Sequence, residues 1–97
     1  MPTCIIQIGN SDDKLSQRDW AAFCDETVGL IVSRTNQIHF SGFAAANASW
    51  QNGCWVADIN YEEINLLAEG LSRLAAKYLQ DSIAFTIGET KFIGPVL

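Results

Sequence analysis

The amino-acid sequence predicts one α+β domain in which two helices are set between short β-strands. The first observation behind this prediction is that two helix starts share one sequence pattern. Each has a capping side chain three residues before a carboxylate, and an apolar residue just before the cap with another five residues later. These residues are Leu15, Ser16, Asp19 and Trp20 in the first start and Ile59, Asn60, Glu63 and Ile64 in the second. The second observation is that apolar runs typical of strands lie before, between and after the helices.

The first half of the chain is predicted to be a strand, a helix and a second strand. Residues 3–8 alternate in the manner of a central strand. Residues 16–33 repeat apolar side chains at three- and four-residue steps, which predicts a helix with one buried stripe. Residues 37–43 predict the second strand, and 44–51 a loop of small residues. The period of two places Ile38 and Phe40 on one face of that strand and His39, Ser41 and Phe43 on the other.

The second half repeats the pattern. Asn52-Gly53 is a strong signal for a tight turn, and residues 54–59 are nearly all apolar, which predicts an interior strand. A helix is predicted from Tyr61 to about Leu79, followed by a strand over residues 82–87. Gly88-Glu89 is compatible with a two-residue hairpin into a short fifth strand, residues 90–93.

The predicted order, βαββαβ, is that of a ferredoxin-like fold, with both helices on one face of a four-stranded antiparallel sheet. The C-terminal hairpin would extend this sheet. The face expected against the helices carries Ile6, Ile8, Ile38, Phe40, Ile83 and Phe85. The face expected to be open carries Ile5, Gln7, His39, Ser41, Phe43, Ala84 and Thr86, together with either Trp55 and Ala57 or Cys54 and Val56.

The open face is therefore more apolar than a surface in contact with water usually is, and such patches mark interaction sites. Two interpretations remain open at this point. The loop around Trp50 covers part of the face, or the face binds a ligand or a second copy of the chain.

Composition narrows the class of protein. The 97 residues form one domain, residues 1–97, and their net charge is −5. Direct binding of nucleic acid is not expected, because the six basic residues are scattered and phosphate neutralisation needs Lys and Arg. No apolar stretch approaches the ~20 residues of a membrane span, and no signal peptide is evident. The acidity is suited to a basic protein partner.

The three cysteines, Cys4, Cys24 and Cys54, are odd in number and widely spaced. They form no metal-binding motif, so we expect reduced thiols in a cytoplasmic protein and neither a metal nor a cofactor. The single histidine, His39, could serve a catalytic triad only beside a nucleophile and an acid such as Asp58, and nothing in the sequence brings these together. We therefore expect a protein that is not an enzyme.

Aromatic and amide side chains are the remaining candidates for binding. Trp50 and Trp55 bracket the tight turn with Asn52 between them, and His39 and Phe43 belong to the preceding strand. Together these residues could stack on a flat ligand such as a nucleobase and hydrogen-bond its edge. Arg34 and Lys91 are the candidate cations for a phosphate. Buried core aromatics, or an interface, are the alternative interpretations of the same residues.

Three segments of the chain, residues 7–16, 50–55 and 80–90, resemble small proteins encoded by bacteriophages and prophages. The resemblance implies a small accessory factor that acts in the cytoplasm of a bacterial host. Our first hypothesis is a non-catalytic inhibitor that binds a host defence or regulatory protein through its acidic surface and apolar sheet face. The alternative is a protein that binds or sequesters a nucleotide-type signal, as a homodimer.

Overall fold

The computed structural model describes residues 1–10, 13–45 and 48–96. Its four strands form one antiparallel sheet in the order β2-β3-β1-β4, and a short 3₁₀ turn precedes the second helix. The elements are β1 (Thr3–Asn10), α1 (Gln17–Arg34), β2 (Gln37–Phe43), β3 (Gln51–Asp58), the turn (Tyr61–Glu63), α2 (Ile64–Lys77) and β4 (Ala84–Gly88). The predicted α+β class, with two helices and four antiparallel strands, is confirmed.

The hydrophobic core lies between the two helices and one face of the sheet. The inward side chains of the central strands β1 and β3 form the sheet side of the core, and each helix contributes one apolar stripe. The fully or nearly buried members are Cys4, Ile6 and Ile8 of β1, Trp20, Phe23, Cys24 and Ile31 of α1, Trp55 and Ala57 of β3, and Leu67 and Leu71 of α2. Within the described residues, neither helix has the length and apolar character of a membrane span.

The two predicted helix starts differ in the structure. Ser16 caps α1 as expected, because its Oγ accepts a hydrogen bond from the backbone N–H of Asp19 at 3.1 Å. Asn60 makes no such bond, and its Oδ1 instead accepts from Asn36 Nδ2 at 3.1 Å. The chain therefore passes through the 3₁₀ turn, and α2 begins at Ile64, three residues later than predicted.

The predicted faces of β2 are wrong beyond His39. Ile38 pairs with Ala57, but Phe40 pairs with Val56, so a β-bulge adds one residue to this strand. An extra residue moves every later side chain to the other face. Phe40 consequently lies on the open face rather than on the helix-covered face. Ser41 and Phe43, which pair with Trp55 and Gly53, lie on the helix-covered side.

The structure also decides the two points that the sequence left open at this sheet. Trp55 and Ala57 are the inward residues of β3, so Cys54 and Val56 face outward. The predicted fifth strand is wrong, because residues 89–96 have no regular structure. After β4 the chain leaves the sheet edge, and the Thr90 hydroxyl is hydrogen-bonded to the hydroxyl of Thr3.

Candidate functional site

The open face of the sheet has an apolar centre with polar side chains around it. Ile5, Cys54 and Val56 are half-buried on it, and the Phe40 side chain is 57% exposed. The ring of Phe40 lies over Gly42, where an added Cβ would approach Phe40 Cζ to 2.9 Å. Of the described strands, the single carboxylate on this face is Asp58. A partner docking here therefore meets apolar side chains and few charges.

His39 and Asp58 form the polar contact at one end of this face. Strands β2 and β3 are neighbours, and the bulge directs His39 Nε2 to within 2.9 Å of Asp58 Oδ2. Both residues line a cavity of about 430 Å³ together with Thr3, Val56 and Phe92. The Asp58 carboxylate and the His39 imidazole thus hold each other in place at the edge of this largely apolar cavity.

A triad would need a hydroxyl or thiol within hydrogen-bond reach of the imidazole. The lining hydroxyls, those of Thr3 and Thr90, are instead hydrogen-bonded to each other. Among the described residues, no group of three or more His, Cys, Asp or Glu side chains could hold a metal ion. The lining offers a ligand polar contacts from His39 and Asp58 and apolar contact with Val56 and Phe92.

A buried amide network stands at the opposite end of the sheet. Asn10, fully buried at the end of β1, donates from Nδ2 to the Leu15 carbonyl at 3.1 Å and to Gln51 Oε1 at 2.9 Å. Its Oδ1 accepts from the Leu15 backbone N–H at 2.9 Å. The Gln51 amide also exchanges hydrogen bonds of 2.8 and 3.1 Å with Gln17 of α1. The network fixes the start of β3 against the start of α1.

Sequence reasoning missed this network. The available signal was an asparagine placed between an apolar strand and a helix start, where the chain must turn and bury backbone groups. No sequence pattern shows that Gln51, 41 positions away, is the partner of Asn10.

Phe43, Trp50 and Asn52 meet beside this network. With Trp20 and small alanines they line a cavity of about 250 Å³. Phe43 stands edge-on to Trp55, with ring centroids 6.0 Å apart and an interplanar angle of 85°. Trp55 is 2% exposed, so it supports Phe43 from the core and offers no surface to a ligand.

Gly53 allows this aromatic packing. A Cβ at residue 53 would lie 3.0 Å from Trp55 Cη2 and 3.2 Å from Phe43 Cε1. The two rings therefore occupy the space that any larger residue would need. The sequence signal Asn52-Gly53 suggested a tight turn, but Gly53 lies inside β3 and its role is close packing.

The six predicted site residues are thus divided among three places. Phe43, Trp50 and Asn52 come together, with Trp55 behind them. His39 lies with Asp58 toward the other end of the sheet.

Arg34 ends α1 near that same distant end and pairs with Glu63, Nη1 to Oε2, at 3.2 Å. The predicted joining of Arg34 and His39 to the aromatic residues is not found.

The described part of the loop between β2 and β3 lies beside α1. Ala44, Ala45, Ala48 and Trp50 line the aromatic cavity with Trp20, while Ala46 and Asn47 fall outside the described residues. The open-face cavity at His39 and Asp58 is lined by none of these loop residues. The described loop therefore leaves that part of the face uncovered.

All three thiols are free, and their surroundings differ. Burial raises the pKa of the Cys24 thiol to about 11, and the nearby Asp25 acts in the same direction. Burial likewise raises the pKa of Cys4. Cys54, by contrast, is only half-buried and lies on the open face.

No protein-family model matches this sequence, and comparison with curated proteins finds no significant relative.

Proposed function

We propose that this chain is a non-catalytic binding protein that inhibits a bacterial host defence or regulatory protein by docking it on the open sheet face. The observation that carries the proposal is the neutral, apolar character of that face around Phe40, Ile5 and Val56. Exposed apolar patches rimmed by polar side chains are typical of protein interaction sites. The cavity at His39 and Asp58 offers a place for one anchoring side chain of the partner.

The distribution of charge supports different roles for the two layers, encounter for the helices and contact for the sheet. Exposed carboxylates are concentrated on the helical layer, among them Asp19, Asp25, Glu62 and Glu69. At physiological salt the Debye length is about 8 Å, so charges on the helical layer contribute little to a contact on the opposite layer, and their effect on encounter is largest at low salt. A net charge of −5 favours encounter with a basic protein, while the sheet face supplies the contact itself.

The proposal also includes the fold architecture, the cellular compartment and the phage-type setting. The strand order supports a ferredoxin-like architecture, in which one sheet face is left without a helical cover. The free thiols support a reducing compartment, which we take to be the cytoplasm of the bacterial host. The phage-type setting depends on the resemblance of residues 7–16, 50–55 and 80–90 alone.

The test compares two charge substitutions on opposite layers. Phe40→Asp places a carboxylate on the open face, and Val32→Asp places one on the exposed side of α1, where Val32 is 60% exposed. Tagged proteins are used to capture partners from bacterial lysate, and the amount of each captured protein is measured. We expect Phe40→Asp to abolish capture of the specific partner and Val32→Asp to retain it.

Capture that is equal for the two variants would contradict the proposal. Circular dichroism of each variant ensures that a loss of binding is not a loss of fold. Light scattering on the unmodified chain and on Phe40→Asp shows whether the partner on this face is a second copy. In that case the unmodified chain is a dimer and Phe40→Asp is a monomer.

A further inference from the structure

We infer that the cavity between Trp20, Phe43 and Trp50 binds a neutral, planar heteroaromatic molecule of the purine nucleoside class. No residue from Phe40 to Ala57 is charged, and among the described residues this stretch supplies all of the cavity lining except Trp20. A ligand in this cavity is therefore recognised by stacking and by hydrogen bonds rather than by ion pairs.

The aromatic walls are placed for stacking. Phe43 is 62% exposed and Trp50 is 52% exposed, so both rings retain surface that a flat ligand can cover. Phe43 is held in place by its edge-on contact with Trp55. An aromatic wall that is fixed before binding loses little conformational entropy when the ligand arrives. Base-on-aromatic stacking is favourable for any base, since every base has a π-face.

Asn52 supplies the polar group at the edge of this cavity. Its Nδ2 donates to the backbone carbonyl of Trp50 at 3.0 Å, which holds the amide, and we assign Oδ1 as the acceptor for a ligand donor. The exocyclic amino group of adenine is such a donor. Gln51 is already engaged by Asn10 and Gln17, so it positions Trp50 and Asn52 rather than contacting the ligand.

Size and charge select the nucleoside over the nucleotide. The cavity of about 250 Å³ is below the roughly 300–1,000 Å³ of pockets that hold drug-sized ligands, so it suits a single base. A phosphate would find no cation among the described lining residues and would be repelled by a chain of net charge −5. Arg34, one of the two cations considered from the sequence, is paired with Glu63 at the other end of the sheet.

The experiment measures binding of adenosine and of adenosine monophosphate by saturation-transfer difference NMR. Adenosine is expected to bind and the monophosphate to bind more weakly. Trp50→Leu is expected to weaken adenosine binding at least tenfold, since loss of one stacking wall is worth about 1.4 kcal/mol or more. Asn52→Leu is expected to weaken it severalfold. Phe92→Leu is the matched control, because Phe92 is an exposed aromatic residue (94%) that lines the other cavity.

The inference is overturned if adenosine does not bind at millimolar concentration, or if Trp50→Leu and Phe92→Leu weaken it equally. Tighter binding of the monophosphate would also overturn it, since a cation would then have to be present. Quenching of tryptophan fluorescence by adenosine provides a second readout. The quenching should be strongly reduced in Trp50→Leu, because Trp50 is 52% exposed while Trp20 and Trp55 are 8% and 2% exposed.

Discussion

Tyr78, at the end of α2, donates its hydroxyl hydrogen to Glu26 Oε2 in the middle of α1. Lys77 Nζ lies 2.6 Å from the other oxygen of the same carboxylate. The Tyr78 ring also stacks on Phe23, with centroids 4.9 Å apart, so polar and apolar contacts join the helices at one place. The hydrogen bond to Glu26 raises the pKa of Tyr78 to about 12.

This contact predicts a loss of stability in acid. The hydrogen bonds from Lys77 and Tyr78 lower the pKa of Glu26 from its ordinary value of 4.5 in the folded protein. A carboxylate with a depressed folded pKa contributes stability that is fully present above 4.5 and is lost as the pH falls through the folded pKa. Urea unfolding should therefore show the native protein to be more stable than Glu26→Gln at pH 7, and the difference should shrink as the pH is lowered below 4.5. A difference that is constant with pH would contradict this origin.

The buried amide network predicts a large cost for replacing Asn10. Asn10→Ala leaves the buried N–H and carbonyl of Leu15 without their partner, which should lower the free energy of unfolding by about 1–3 kcal/mol. Gln37→Ala is the control, because Gln37 is an exposed amide outside this network and substitution there should change stability by no more than about 0.5 kcal/mol. Equal effects in urea unfolding would show that Asn10 does not anchor this end.

The three cysteines should differ in reactivity. Cys54 is half-buried on the open face, whereas burial raises the pKa of Cys4 and Cys24 and so lowers their thiolate fraction. Native protein treated with iodoacetamide at neutral pH should be labelled first at Cys54, as mass spectrometry of its peptides will show. In urea the three rates should converge. Faster labelling of Cys24 in the native protein would contradict this arrangement of the faces.

The glycines at residues 53 and 29 predict opposite effects of the same substitution. Gly53→Ala places a methyl group 3.0 Å from Trp55 and 3.2 Å from Phe43, and the forced shift should destabilise by about 1–3 kcal/mol. Gly29→Ala meets nothing within 4 Å on an exposed helix position and should stabilise by about 1 kcal/mol. Thermal unfolding of the two variants measures both signs. A stabilising Gly53→Ala would show that the rings have room to move.

The local elements were predictable because local chemistry determines them. The strand predicted over residues 3–8 is set by side-chain period, and the cap at Ser16 by one side chain bonding a nearby backbone group; both are confirmed. Asn60 has the same local pattern but does not cap α2, because Asn36, which follows the end of α1, donates a hydrogen bond to its side chain. Contacts between distant residues override a local signal when they offer a better hydrogen bond.

The candidate sites depended on features that no local pattern encodes. A β-bulge at His39 moved Phe40 to the open face and brought His39 to Asp58. Pairing of β2 with β3 placed Phe43 against Trp55. Arg34 lies at the opposite end of the sheet from these two rings, where it pairs with Glu63.

The sequence by itself therefore determined the class of the fold, the helix stripes and the neutrality of the stretch from Phe40 to Ala57, since these follow from residue type and spacing. Only the tertiary structure decided which side chains share a surface, because one inserted residue inverts a strand and because partners tens of positions apart meet only after the sheet has formed.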